Sequence, residues 1–264
     1  MNSFKSVKEA LRTLNNGEIT SPRGEETKEL LFVSINVNEN EVYLTYPSRK
    51  LSISYIKEEC KWYLNADKYD LSIADKASIW KGLINSDKTI SSNYGAILFN
   101  GQFMNCVETI LNDFETRRAI MYIGDNDNLN SDSKDKRCTC YIQFFIRNNK
   151  LDMIVSMRSN DAIYGLGNDL PFFNLVHNLM YFYIKGSGFD YLNKGKYIHC
   201  ANSFHVYKRH FKMLNKIINE EIDLTKYPPK IKDKEEVLFI MDKYKNLNMI
   251  ESNDYNFSKW LYLD

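Results

Sequence analysis

Glu59 is the residue whose type and position most plainly ask for chemistry. It falls between Ile56 and Tyr63 at helical spacing, so its carboxylate shares an inward face with apolar neighbours. Buried bare, it costs several kcal/mol, so it must be paired or hold a proton. Glu58 beside it is expected to be ordinary and exposed. Thiols come next. Cys60, Cys106, Cys138, Cys140 and Cys200 are odd in number, without repeated Cys-x-x-Cys pairs. His177, His199, His205 and His210 stand at no metal-ligand spacing from them, so no metal is expected. Free thiols in a reducing cytosol fit this pattern better than disulfides do. A free thiol is most often core, yet as a thiolate it attacks soft electrophilic carbon. Cys138 and Cys140 lie two apart in a strand-like run, which puts both on one face and leaves open which reacts. Guanidinium forks suit phosphate oxygens, although any one arginine is more often a solvated surface charge.

The whole chain narrows what these groups act on. It has 264 residues, 44% hydrophobic and 14% aromatic, enough for one well-filled domain spanning residues 1–264. Lys+Arg total 35 against 34 Asp+Glu, a formal charge of +1. That balance argues against gripping long nucleic acid, but a local arginine cluster still suffices for a small phosphorylated ligand. Met1–Arg12 is polar and charged, unlike a signal peptide, and no apolar run approaches the ~20 residues of a membrane span. A cytoplasmic protein is expected.

The elements that must position these residues follow from periodicity. Ile53–Leu64 and Phe103–Phe114 read as amphipathic helices. Cys138–Ile146 and Leu151–Met157 read as strands joined by the tight turn Arg147-Asn148-Asn149-Lys150. Leu170–Ile184 is apolar nearly all round, as a buried helix is. Phe204–Ile218 reads as an amphipathic helix capped by Asn202 or Ser203. Asp125–Arg137 and Tyr227–Lys234 read as surface loops. Strands and helices without βαβ alternation make the class α+β.

Several stretches then stand in a telling order: Glu58-Glu59-Cys60-Lys61-Trp62-Tyr63-Leu64, Ile79-Trp80 and Ser92-Asn93-Tyr94-Gly95; Thr116-Arg117-Arg118; Cys138-Thr139-Cys140-Tyr141-Ile142-Gln143-Phe144 with Met157-Arg158-Ser159-Asn160-Asp161 and Gly165; and Ser203-Phe204-His205-Val206-Tyr207. From Arg23 to His210 the chain resembles the thymidylate synthase superfamily, and within it the phage deoxycytidylate hydroxymethylases. The resemblance implies a mixed sheet packed with helices, dimerising through the sheet. It implies a pyrimidine nucleoside monophosphate as substrate and 5,10-methylenetetrahydrofolate as one-carbon donor, in the host cytoplasm if the gene is a phage's.

The resemblance also implies roles. Cys138 matches the nucleophile that adds to C6 of the base, making C5 a carbon nucleophile. Arg158, Ser159 and Arg23 match phosphate ligands, and Arg117 and Arg118 a pair that reaches the partner's phosphate in a homodimer. Glu59 matches the group that organises water and moves protons to folate and base, and Tyr94 a tyrosine whose water network helps remove the C5 proton. His205 and Tyr207 match contacts to the sugar 3′-hydroxyl. Asp161, Gly165 and Trp80 match folate contacts. The family's uracil-reading asparagine falls on Asp169, whose carboxylate accepts from cytosine N4 and a protonated N3. A one-residue slip puts Asn168 there and restores uracil. Thr139 replaces the family's histidine after the nucleophile, and the end Lys259-Trp260-Leu261-Tyr262-Leu263-Asp264 departs from the family's tail. Water added to the transferred carbon gives a hydroxymethyl product, whereas hydride gives a methyl. C5 methylation of dCMP or dUMP, hydroxymethylation of CMP, and a nucleotide-binding relative without catalysis are the rival readings.

Overall fold

The computed structural model describes residues 2–242 and 246–263. Its strands are β1 (Asn2–Phe4), β2 (Glu18–Thr20), β3 (Thr27–Val37), β4 (Ile120–Tyr122), β5 (Thr139–Arg147), β6 (Lys150–Met157), β7 (Asn160–Asp161) and β8 (Asn193–Tyr207). The helices are α1 (Val7–Leu14), α2 (Ile53–Asn65), α3 (Ile73–Lys76), α4 (Tyr94–Leu98), α5 (Gln102–Asn112), α6 (Asn126–Asn130), α7 (Gly165–Lys185), α8 (Phe211–Ile217), α9 (Lys234–Met241), α10 (Asn248–Ser252) and α11 (Asn256–Tyr262). The strands form one mixed sheet in the order β1-β3-β8-β6-β5-β4, with β2 on β3 and β7 on β8. The class is α+β, as expected.

Period-2 alternation decides which face is core. Leu151, Met153, Val155 and Met157 of β6 are buried, as are Ile142, Phe144 and Ile146 of β5 and Val33, Ile35 and Val37 of β3. Helix α7 lies against β6, where His177 Nε2 sits 2.8 Å from the Leu151 carbonyl oxygen. Residues on the other face, such as Tyr141, Gln143, Phe145, Ile154 and Ile198, stay half-exposed, and Phe32 is 63% exposed. Asn148 and Asn149 close the β5–β6 hairpin with φ of 51° and 55°. Two positive φ values make a turn whose twist matches that of the strands, and asparagine tolerates them.

Helix α2 buries Ile56, Glu59, Cys60, Tyr63 and Leu64 on one face. Helix α4 crosses it so closely that a Cβ on Gly95 would lie 1.8 Å from the Tyr63 carbonyl oxygen. Only glycine fits there, and the approach stacks Tyr94 on Tyr63 with centroids 5.8 Å apart.

Several expectations need correction. Phe204–Ile218 is not one helix: β8 continues to Tyr207, and only Phe211–Ile217 is α-helical. Phe204, Tyr207, Phe211 and Leu214 keep a helical period while Phe204 and Val206 alternate as in a strand, and the pairs from Thr27↔Tyr207 to Leu30↔Phe204 with β3 hold the start of the segment extended. The loop 125–137 contains α6 and buries Asn128 and Asp135, whose side chains tie the loop to itself and to Ser92. Glu58 is half-buried and paired with Lys61 and Lys76. The strand expected from Cys138 begins at Thr139, and its register shifts between Thr139 and Tyr141. Strict alternation therefore does not put Cys138 and Cys140 on one face.

Candidate active site

Cys138 stands just before β5, half-buried, at the mouth of the hairpin. Arg158, just after β6, is brought beside it by the pairing of the two strands. Its Nη2 lies 3.6 Å from Cys138 Sγ. Its Nε donates to the Arg137 carbonyl at 2.9 Å and Nη2 to the Lys136 carbonyl at 3.0 Å, which holds the guanidinium flat against the thiol's own loop. Burial pushes the Cys138 thiol up, and the charge of Arg158 pulls it back most. Asp169 and Asp135 oppose that pull, and Arg23 adds to it. Arg23 itself is exposed, with φ 55°, in the turn Pro22–Gly24. Ser159 follows Arg158, half-buried, between β6 and β7.

Asp169, on the first turns of α7, is the hub. Burial pushes it up to about 7, although Asn160 Nδ2 donates to its Oδ2 at 2.7 Å. Its charge raises Glu59, Tyr55, Tyr63, Tyr94, Tyr197 and Cys138 alike, so all of these groups lie within its electrostatic reach. Asn168, the rival position, turns away: its Oδ1 accepts from Arg49 Nη2 at 3.0 Å. Arg49 is itself buried, donating Nε to the Ile163 carbonyl at 2.8 Å and lying over the Tyr164 ring.

Burial pushes Glu59 up to about 8. Its Oε1 accepts from Tyr55 O–H at 2.8 Å, and that hydroxyl accepts from Trp80 Nε1–H at 2.9 Å. Trp80 is thus tied to the carboxylate through Tyr55, a residue the sequence reading did not single out. Tyr94 is buried and raised, first by burial and then by the charges of Asp169 and Cys138. Neighbouring Glu58 moves the opposite way, lowered by its hydrogen bond from Lys61.

A stability prediction follows. Glu59 titrates near 4.5 when unfolded and about 8 when folded, so the unfolded chain loses this proton first. Stability due to the protonated group is full below pH 4.5 and lost as pH rises through about 8. Glu59→Gln should match the parent in acid and exceed it by about 2–4 kcal/mol above that range, roughly 5–10 °C in Tm. Calorimetry across pH checks it, and a pH-independent difference would count against a buried, protonated Glu59.

The remaining sites are more dispersed. Asp161 accepts from the N–H groups of Ile163, Tyr164 and Gly165, at 3.1, 3.1 and 3.4 Å, and so shapes the entry to α7. His205 and Tyr207 share a side of β8, with rings edge-to-face at 5.1 Å. On a helix, residues two apart do not face each other, so the strand is what brings them together. Arg117 and Arg118 are exposed beside β4, and among the described residues neither guanidinium has a partner. Asn160, His199, Tyr197, Asp135 and Arg49 were given no role from the sequence. A strand reading of 193–207 puts Tyr197 and His199 on one face by alternation, whereas Asn160, though inside the stretch Met157–Asp161, has no periodicity that assigns it a partner.

Among the described residues no group of three or more His, Cys, Asp and Glu could hold a metal ion. No helix among them is long and apolar enough to cross a membrane. A mainly apolar cavity of about 520 Å³, beside the later turns of α7, is lined by Tyr43, Leu175, Phe182 and Tyr227 and holds none of these side chains.

A family model described as thymidylate synthase matches residues 8–261. The chain is 29% identical over 175 residues to the deoxycytidylate 5-hydroxymethyltransferase of Enterobacteria phage T4, covering 62% of this chain and 71% of that protein. It is 27% identical over 213 residues to the deoxyuridylate hydroxymethyltransferase of Bacillus phage SP01, covering 74% of this chain and 54% of that protein. To the thymidylate synthase of Francisella tularensis it is 21% identical over 241 residues, 84% of each chain.

Proposed function

The chain belongs to the thymidylate synthase family of one-carbon transferases, and from that premise we propose that it hydroxymethylates C5 of deoxycytidine monophosphate, with 5,10-methylenetetrahydrofolate as donor. The two phage relatives carry the same group transfer in their names but different bases. The residue that reads the base therefore decides the substrate. The observation that carries cytosine is that Asn168 is spent on Arg49, whereas Asp169 is held by Asn160 and its charge reaches the Cys138 thiol. A carboxyl pushed up to about 7 holds a proton at N3 and accepts from the N4 amino group.

Cys138 Sγ adds to C6, its thiolate favoured by the guanidinium of Arg158. Glu59, raised to about 8, exchanges protons near neutral pH. Tyr94, beside Cys138 and Asp169, orders water for loss of the C5 proton. Arg158, Ser159 and Arg23 take the phosphate, and His205 and Tyr207 the sugar. The folate supplies an electrophilic one-carbon unit. The residues fit a flat heteroaromatic ring: Trp80 offers an indole face, Gly165 lacks a side chain, and the three N–H groups on Asp161 leave a lone pair for a ring N–H. Water reaching the transferred carbon gives the hydroxymethyl product, and the bond from Cys138 Sγ to C6 breaks to restore the thiolate and the aromatic ring. Mass analysis of product from dCMP and methylenetetrahydrofolate tests the proposal. A gain of CH2O is expected, and a gain of CH2 would make the chain a methylase.

We further propose one catalytic domain acting as a cytoplasmic homodimer that joins through the half-exposed sheet face, with Arg117 and Arg118 completing the partner's phosphate site. The unpartnered arginines and the uncovered Phe32 support this. Arg118→Ala protein mixed with Cys138→Ser protein should recover activity, because one site of each heterodimer carries neither lesion. Recovery of up to about a quarter of parental activity is expected from random pairing. No recovery despite demonstrated subunit exchange would exclude a shared site.

A further inference from the structure

Behind Asp169 runs a buried chain of polar groups that neither the nucleotide nor the folate reading uses. Asn160 Nδ2 donates to Asp169 Oδ2 at 2.7 Å. Asn160 Oδ1 lies 3.2 Å from His199 Nε2, and His199 Nδ1 lies 3.0 Å from the Tyr197 hydroxyl. Asn160, His199 and Tyr197 are all buried, so water does not compete for these bonds. Gly165 leaves the room: a Cβ there would lie 3.3 Å from Asn160 Nδ2 and 3.8 Å from Asp169 Oδ2.

The directions of these bonds depend on one another. An ionised carboxylate only accepts, so Asn160 must turn its amide N–H toward Asp169 and its oxygen toward His199. That oxygen needs a donor, so His199 carries its proton on Nε2. Burial pushes His199 down to about 3, which keeps the ring neutral with a single N–H. Nδ1 is then a lone pair and takes the Tyr197 O–H.

We propose that Tyr197, His199 and Asn160 form a directed hydrogen-bond chain that holds position 169 with an acceptor toward Asn160, and so sets which pyrimidine the site selects. The proposal rests on the reading of Asp169 as the residue that faces the base. The three are positioning residues, acting through Asp169. Their donors keep the carboxylate an acceptor and fix its plane. Without them Asp169 turns and takes up a proton more readily, and a protonated carboxyl donates to uracil O4.

The test is kcat/KM for dCMP and for dUMP in the parent and in Asp169→Asn, Asn160→Leu, His199→Phe and Tyr197→Phe. Losing a donor to a charged group should cut the dCMP-over-dUMP ratio about tenfold in Asn160→Leu, with smaller cuts in the other two. The double variant Asn160→Leu/His199→Phe should fall no further than Asn160→Leu, because both act through one chain. Equal losses on both substrates, with the ratio unchanged, would overturn the proposal while a ratio moved by Asp169→Asn keeps the base reading. A ratio indifferent to Asp169→Asn removes the base reading, and selection through the chain with it. Nitrogen NMR of the parent above neutral pH checks the polarity without any variant. His199 should be the Nε2–H tautomer, and a predominant Nδ1–H form would overturn the chain whatever the substrate.

Discussion

Cys138→Ser protein is expected to bind nucleotide within a few-fold of the parent yet turn over on the order of 10^3–10^6 times more slowly. Serine is nearly the same size, so Arg158 keeps its bonds to the Arg137 and Lys136 carbonyls and the phosphate ligands stay in place. What is lost is a sulfur able to ionise beside a guanidinium 3.6 Å away. A hydroxyl there is far too weak an acid to gain comparably. Cys140→Ser should keep most of the activity. Its backbone carbonyl is occupied by the Ile123 and Gly124 N–H groups at the edge of the sheet, and among the described residues no guanidinium bonds its thiol. Calorimetric titration with dCMP and steady-state rates for both variants make the comparison. Exchanged phenotypes would move the nucleophile to Cys140.

Asp169→Asn is expected to narrow or reverse a preference for dCMP over dUMP that is large in the parent. With the carboxylate, uracil O4 meets another acceptor at a half-buried position. Each polar group so stranded costs about 1–3 kcal/mol, or roughly ten- to a few-hundred-fold in relative kcat/KM. The amide donates to O4 and accepts from N3–H. Asn160 strengthens the expectation, since its N–H at 2.7 Å requires the amide oxygen on its own side. Asn168→Asp is the control: it faces Arg49, so the new carboxylate meets a guanidinium and not the base. A parental preference for dUMP, or a preference that follows position 168, would falsify the cytosine reading and leave the family untouched.

Sequence alone determined the family, the α+β class, the hairpin after Cys138 and the inward carboxylate at Glu59. Each is written in local order. Helical spacing puts Glu59 among Ile56 and Tyr63, alternation writes β5 and β6, and a gapless count from Arg158 reaches Asp169. Local order failed at Phe204–Ile218, where the apolar residues suit both periods and pairing with β3 chose the strand. Only the tertiary structure decided that Asn168 turns to Arg49, that Tyr55 links Glu59 to Trp80, and that Asn160, His199 and Tyr197 stand in line behind Asp169. The physical reason is range. Periodicity reports which face of its own element a residue occupies, whereas a hydrogen bond needs two groups within about 3 Å and correctly aimed. When those groups come from β7, α7 and β8, their meeting is set by how the elements pack.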